Sequence, residues 1–150
     1  MSHFPDTSFL YPLYRTDVHS SKVDAFLAAG HGPLRVSTLL LLELRQSTRL
    51  QVRLHSANRS LGFPKADADR LLQQVQGDLA QAVLEIASVD WADVHRIAER
   101  LSATHTETQG HRLVDILHVA TALHLGASEF LTFDAGQRKL AEAEGMKIPV

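Results

Sequence analysis

The chain has 150 residues, of which 45% are hydrophobic, so we expect a single globular domain over residues 1–150 with a sizeable core. It contains no cysteine, which excludes disulfides and cysteine-based zinc sites and is typical of a cytoplasmic protein. The 15 Lys and Arg against 17 Asp and Glu give a formal charge of −2, which argues against a nucleic-acid partner. Neither a signal peptide nor a membrane-spanning run of roughly 20 apolar residues is evident.

Hydrophobic periodicity and turn residues divide the chain into alternating strands and helices. In chain order the predicted elements are a strand ending at Asp6, a helix over 20–29, a strand over 34–37, a helix over 39–58, a helix over 66–76, a strand over 83–89, a helix over 91–103, a loop over 104–110, a helix over 111–125, a strand over 129–133, a helix over 135–144 and a strand over 146–150. This alternation predicts an α/β fold in which helices cover both faces of a mainly parallel sheet.

Four carboxylates are set against apolar runs, where an isolated charge is costly: Asp6, Glu43, Asp115 and Asp134. Asp6 and Asp134 each follow a predicted strand, and the carboxyl ends of parallel strands are where sites form in such sheets. Hard divalent cations prefer oxygen ligands and neutralise several acids together, so the pattern predicts a metal site. With these four set aside, 13 acidic residues remain against 15 basic ones, a balance compatible with phosphate binding.

Helical spacing predicts that Glu43 points inward, because it shares a face with Ser47, Leu50 and Leu54. The alternative is a glutamate at the edge of the core that pairs with an arginine.

Asp115 opens a largely apolar helix and shares its face with His111 and His118. An aspartate that only stabilises the helix start is the alternative, but it would not need two histidines beside it. We do not predict the histidines to be metal ligands. No His-x-x-x-His pair occurs, and a hydrogen-bonded histidine is the commoner case.

Two arginines and two hydroxyls are further candidates. Arg53 lies on the helix that carries Glu43, and Arg112 precedes Asp115 by three residues, so both are candidates for phosphate contacts. A solvated helix face is the alternative interpretation for each. Ser8 and Thr132 lie beside Asp6 and Asp134 in the sequence, where hydroxyls suit the orientation of metal-binding acids.

The chain resembles PIN-domain nucleases, and most closely the VapC-type toxins of bacterial toxin-antitoxin pairs, over essentially its whole length. The resemblance rests on four features in order: the segment 6–8 (DTS), the inward Glu43, the segment 115–122 (DILHVATA), and the segment 131–134 (LTFD) with Gln137, Arg138, Leu140 and Gly145 after it. It implies a PIN-like three-layer α/β/α fold around a central, mainly parallel sheet.

The resemblance also implies a function. Family members hold Mg²⁺ or Mn²⁺ with the acids that match Asp6, Glu43, Asp115 and Asp134, and many are endoribonucleases. A metal-activated water would hydrolyse the RNA phosphodiester bond and leave 5′-phosphate and 3′-hydroxyl ends. Ser8 and Thr132 would orient the acids, and Arg53 and Arg112 would contact RNA. The expected partners are RNA, a small antitoxin and a second copy in a homodimer.

Two departures from the family pattern carry expectations. Pro5 precedes Asp6, so we expect the first strand to end early and to displace this acid. Ala135 and Gly136 follow Asp134, where some relatives carry an extra acid, so we predict one firmly bound metal ion.

Two other functions remain as alternatives. One is a non-catalytic scaffold of the same fold that binds protein or RNA. The other is a phosphoacceptor receiver domain, which fits poorly because no adjacent acid pair follows the first strand.

Overall fold

In the computed structural model, which describes residues 2–150, short parallel strands alternate with helices as predicted. The strands are β1 (His3–Pro5), β2 (Leu34–Val36), β3 (Leu84–Ile86) and β4 (Glu129–Leu131). The helices are α1 (Thr7–Tyr14), α2 (Ser20–Ala28), α3 (Thr38–Ala57), α4 (Lys65–Ala80), α5 (Trp91–Leu101), α6 (Glu107–Gln109), α7 (Leu113–His124) and α8 (Ala135–Ala143). The α/β class and the parallel pairing are thereby confirmed.

The sheet is built from two parallel pairs, β1 with β4 and β2 with β3. Strand β1 includes Pro5, opposite Leu131, so the expected early end of this strand is wrong. The Asp6 N–H donates to the Leu131 carbonyl (3.0 Å), and successive N–H groups of a strand point to opposite sides. The position of the backbone N–H that proline lacks is therefore on the β2 side of Pro5. Accordingly, β1 and β2 lie side by side, yet form no hydrogen-bonded ladder within residues 2–150.

The core lies between this sheet and the helices on its two sides. Phe4 and Phe130 stack within the β1–β4 pair, with ring centroids 6.5 Å apart. Helix α7 packs closely against α5 and is apolar on most sides, as predicted, with Val119 and Ala120 fully buried. Burial of each large aliphatic side chain contributes about 1.5–3 kcal/mol, so α7 is firmly anchored beneath the site that its first turn carries. Within residues 2–150, no helix is both long and apolar enough to cross a membrane.

The structure differs from the predicted elements at three places. Helix α1 was not predicted; it contains Pro12, and the Asp6 carboxylate caps its start. The predicted loop over 104–110 is helical: α5 continues through a π-helical segment (Ser102–Thr106) into α6 and ends at Gly110, which is left-handed. The predicted last strand is reduced to one bridge, between Lys147 and Glu129.

Gly62, between α3 and α4, is expected to be the glycine least tolerant of alanine. Its φ of +57° is left-handed, and a Cβ there would lie 2.1 Å from the backbone oxygen of Gln51. We expect Gly62→Ala to lower the free energy of unfolding by at least about 3 kcal/mol, measured by urea denaturation. Gly126→Ala is the matched control, because Gly126 is also left-handed but a Cβ meets no atom within 4 Å. An equal cost of about 1 kcal/mol at both positions would contradict the close contact.

Candidate active site

Asp6 lies at the carboxyl end of β1 and is fully buried. Its Oδ1 accepts from the Phe9 N–H (3.1 Å), which caps α1, and from the Ser8 hydroxyl (2.6 Å). Its Oδ2 accepts from the Thr132 hydroxyl (2.5 Å). Burial raises the pKa of Asp6 to about 6, against the opposing effect of these three hydrogen bonds. Asp6 is thus a carboxylate held in place by the segments that follow β1 and β4.

Asp134 follows β4 on the same rim and caps α8, with Oδ1 accepting from the Gln137 N–H (2.8 Å). Its own N–H donates to the Thr132 hydroxyl oxygen (3.0 Å). The Ser8 hydroxyl oxygen accepts from the Phe133 N–H (2.9 Å). Ser8 and Thr132 therefore link the segments that carry Asp6 and Asp134, where the sequence suggested them.

Glu43 projects from the second turn of α3 and is half-buried. The reason given for its inward direction is wrong, because Leu50 and Leu54 on the same face are 50% and 44% exposed. The buried side of α3 instead includes Leu40, Leu41, Leu44 and Thr48. Glu43 lies at the border of that buried side and reaches the site from there.

Two side chains hold the carboxylate of Glu43. The Thr7 hydroxyl donates to Oε1 (2.9 Å), and the fully buried His118 contacts Oε2 through Nε2. The Nδ1 of His118 has no hydrogen-bond partner within residues 2–150. An N–H without a partner is costly when buried, so we assign the proton to Nε2, from which it is donated to Glu43. Burial alone would raise the pKa of Glu43, but the hydrogen bonds from His118 and Thr7 lower it overall.

Asp115 occupies the first turn of α7 and is 7% exposed. Arg112, the residue before the helix, donates from Nε to Oδ2 (3.0 Å) and from Nη2 to Oδ1 (3.4 Å). Burial raises the pKa of Asp115 although Arg112 opposes it, and the charges of Asp134 and Glu43 raise it further. Asp134 and Glu43 therefore both lie within electrostatic range of Asp115.

The structure brings together most of the residues singled out in the sequence, but not all of them. Arg112 lies at the site, whereas Arg53 is exposed on α3, ten residues beyond Glu43 or about 15 Å along the helix axis. The roles of Thr7 and His118 as partners of Glu43 were missed. His118 offered a signal, a histidine on an apolar helix one turn after Asp115, but nothing in the sequence links it to α3.

The four acids have the chemistry of a site for Mg²⁺ or Mn²⁺, since all offer carboxylate oxygens. As the side chains are arranged, however, no three His, Cys, Asp or Glu residues within 2–150 converge closely enough to hold a metal ion. In this arrangement Arg112 holds both oxygens of Asp115. The donor set fits a divalent ion in kind, and the acids would have to come closer together to hold one.

Comparison with known proteins agrees with this architecture. A family model described as PIN domain matches residues 3–143. The VapC20 toxin of Mycobacterium tuberculosis, a toxin that cleaves the sarcin-ricin loop, is 18% identical to this chain. The match covers 98% of each chain with a TM-score of 0.69. FitAcB from Neisseria gonorrhoeae is 18% identical over 97% of this chain and 95% of that chain (TM-score 0.65). VapBC2 from Rickettsia felis, solved with a promoter DNA fragment, is 17% identical over 99% of this chain and 97% of that chain (TM-score 0.61). No curated protein sequence matches the chain.

Proposed function

Because the chain belongs to the PIN domain family, we propose that it is a divalent-metal-dependent endoribonuclease of the VapC type. The observation that supports this most is the linkage between the four acids: Thr132 contacts both Asp6 and Asp134, and the charges of Asp134 and Glu43 act on Asp115. These side chains come from four separate segments of the chain. A structural role for any one would not bring the others to the same place.

The residues of the site divide between binding and orientation. Asp6, Glu43, Asp115 and Asp134 would hold Mg²⁺ or Mn²⁺, which when bound supplies acidified water and stabilises negative charge on phosphate oxygens. Ser8 and Thr132 fix the direction of the Asp6 carboxylate. Thr7 and His118 do the same for Glu43. Arg112, at the open edge of the site, is placed to meet a phosphate of the RNA.

The partners follow from the same proposal. The similar structures include toxin–antitoxin complexes, and a small antitoxin that covers the acidic site is proposed here as well. We also propose that the protein forms a homodimer, that residues 1–150 form a single domain, and that the protein is cytoplasmic.

Calorimetric titration with Mn²⁺ tests the proposed metal site. We expect the protein to bind Mn²⁺ specifically and Glu43→Gln, which keeps the shape of the side chain but not its charge, to bind it much more weakly. A non-catalytic scaffold would show no binding that depends on Glu43, and that result would remove the support for the nuclease proposal.

His118 is expected to matter through Glu43. His118→Leu removes the donor to Oε2, so we expect Mn²⁺ affinity to fall about 10–100-fold by calorimetry, as for other residues that orient ligands. His118→Gln keeps an N–H donor on a side chain of similar reach and should restore most of the affinity. Equal affinity of the leucine variant and the unaltered protein would contradict the role assigned to His118.

A further inference from the structure

We infer that Arg112 is an internal counter-ion of the site that exchanges its partner, holding Asp115 until a divalent ion binds and then turning to a phosphate of the RNA. This inference rests on the proposed function and deepens it. It assigns one residue two successive partners and makes the affinity for metal and the affinity for RNA depend on it in opposite directions.

The contacts of Arg112 place its guanidinium where a cation is needed. Nε and Nη2 approach the two oxygens of Asp115, at 3.0 and 3.4 Å. These are the oxygens that Asp115 would offer to a metal ion. Each oxygen keeps a lone pair for a metal ion, but the positive guanidinium repels a dication at these atoms, so the two cations compete electrostatically for Asp115.

The charges around Arg112 extend the competition beyond one pair. Besides its hydrogen bonds to Asp115, the guanidinium lies within electrostatic range of Asp134 and Glu43. A permanent positive charge thus lies near three acids. A dication at the same place would be attracted by these acids and repelled by the guanidinium.

The mobility of the two partners is unequal. The carboxylate of Asp115 belongs to a residue that is 7% exposed and fixed in the first turn of α7. The side chain of Arg112 is 74% exposed and belongs to the residue just before the helix. Arg112 can therefore change rotamer at little cost, whereas Asp115 cannot follow it. Once turned outward, the guanidinium offers a planar fork of donors beside the site, which suits a phosphate.

The experiment measures Mn²⁺ affinity by calorimetry and RNA cleavage at saturating Mn²⁺ for Arg112→Gln and Arg112→Lys. If Arg112 competes with the metal, Arg112→Gln should bind Mn²⁺ about tenfold more tightly than the unaltered protein. Its RNA cleavage should fall about tenfold or more, through a higher KM. Arg112→Lys keeps the charge and should show no tightening of Mn²⁺ binding.

The matched control is Arg96→Gln. Arg96 is similarly exposed and pairs with Asp93 three residues away on α5, so its loss should change neither quantity. If Arg112 only held Asp115 in place, Arg112→Gln would bind Mn²⁺ more weakly, and equal or weaker binding overturns the exchange. Unchanged cleavage in Arg112→Gln overturns the transfer to phosphate. Absence of Mn²⁺ binding to the unaltered protein would instead overturn the proposed function itself.

Discussion

Asp115→Asn is expected to lower RNA cleavage by at least about 10³-fold, or about 4 kcal/mol of transition-state stabilisation. The substitution keeps the shape of the side chain of a residue that is 7% exposed and lies in the first turn of α7. It removes the negative charge with which Asp115 would bind the proposed metal ion. Cleavage of a labelled RNA with Mg²⁺ or Mn²⁺ measures the loss, and circular dichroism checks that the helices remain.

The control for this variant is Asp93→Asn. Asp93 also pairs with an arginine three residues away, Arg96, but it lies on α5 outside the acidic cluster. We expect its replacement to leave cleavage unchanged. Cleavage by Asp115→Asn at the rate of the unaltered protein would contradict the assignment of Asp115 as a ligand.

Asp6→Asn is expected to lower RNA cleavage about as much as Asp115→Asn does. In the absence of divalent ions, however, its free energy of unfolding at about pH 8 should be at least as large as that of the unaltered protein. Burial raises the pKa of Asp6 to about 6 from an ordinary value of 3.8, so the charged form is disfavoured in the folded state. The stability that protonated Asp6 provides is fully present below pH 3.8 and is lost as the pH rises through about 6. Between about pH 5 and about pH 8 this loss is on the order of 1 kcal/mol.

Urea denaturation in EDTA across that pH range measures the difference between Asp6→Asn and the unaltered protein. The advantage of the asparagine variant should grow as the pH rises, because asparagine does not titrate. Asp90→Asn is the control, since Asp90 also caps a helix, α5, but is exposed. A difference that is constant with pH would contradict a raised pKa for Asp6.

The order of elements could be predicted because it depends on local signals. The helices α3 and α5 and the end of α2 at Gly30 follow from periodicity, capping and glycine. Helix α1 could not be predicted, because it depends on the Asp6 carboxylate being held by Ser8 and Thr132, and Thr132 is 126 residues away. The helix over 104–110 was missed because its polar sequence is typical of a loop, while its contact between His105 and Glu144 is long-range.

The same difference between local signals and long-range contacts holds for the site. The four acids were selected from their apolar surroundings and the family resemblance, and their role stays a prediction. The position of Asp6 and Asp134 after β1 and β4 follows from the strands predicted before them. The helical-wheel argument for Glu43 failed because the second half of α3 leaves the core, which exposes Leu50 and Leu54. The partners of Glu43, Thr7 and His118, are 36 and 75 residues away, so only the folded chain reveals them.

The most direct test of the central claim is the metal dependence of RNA cleavage by the purified protein, with analysis of the ends that it leaves. We predict cleavage that requires Mg²⁺ or Mn²⁺, stops on addition of EDTA, and leaves 5′-phosphate and 3′-hydroxyl ends. Cleavage that continues in EDTA, or that leaves a 2′,3′-cyclic phosphate, would contradict the account.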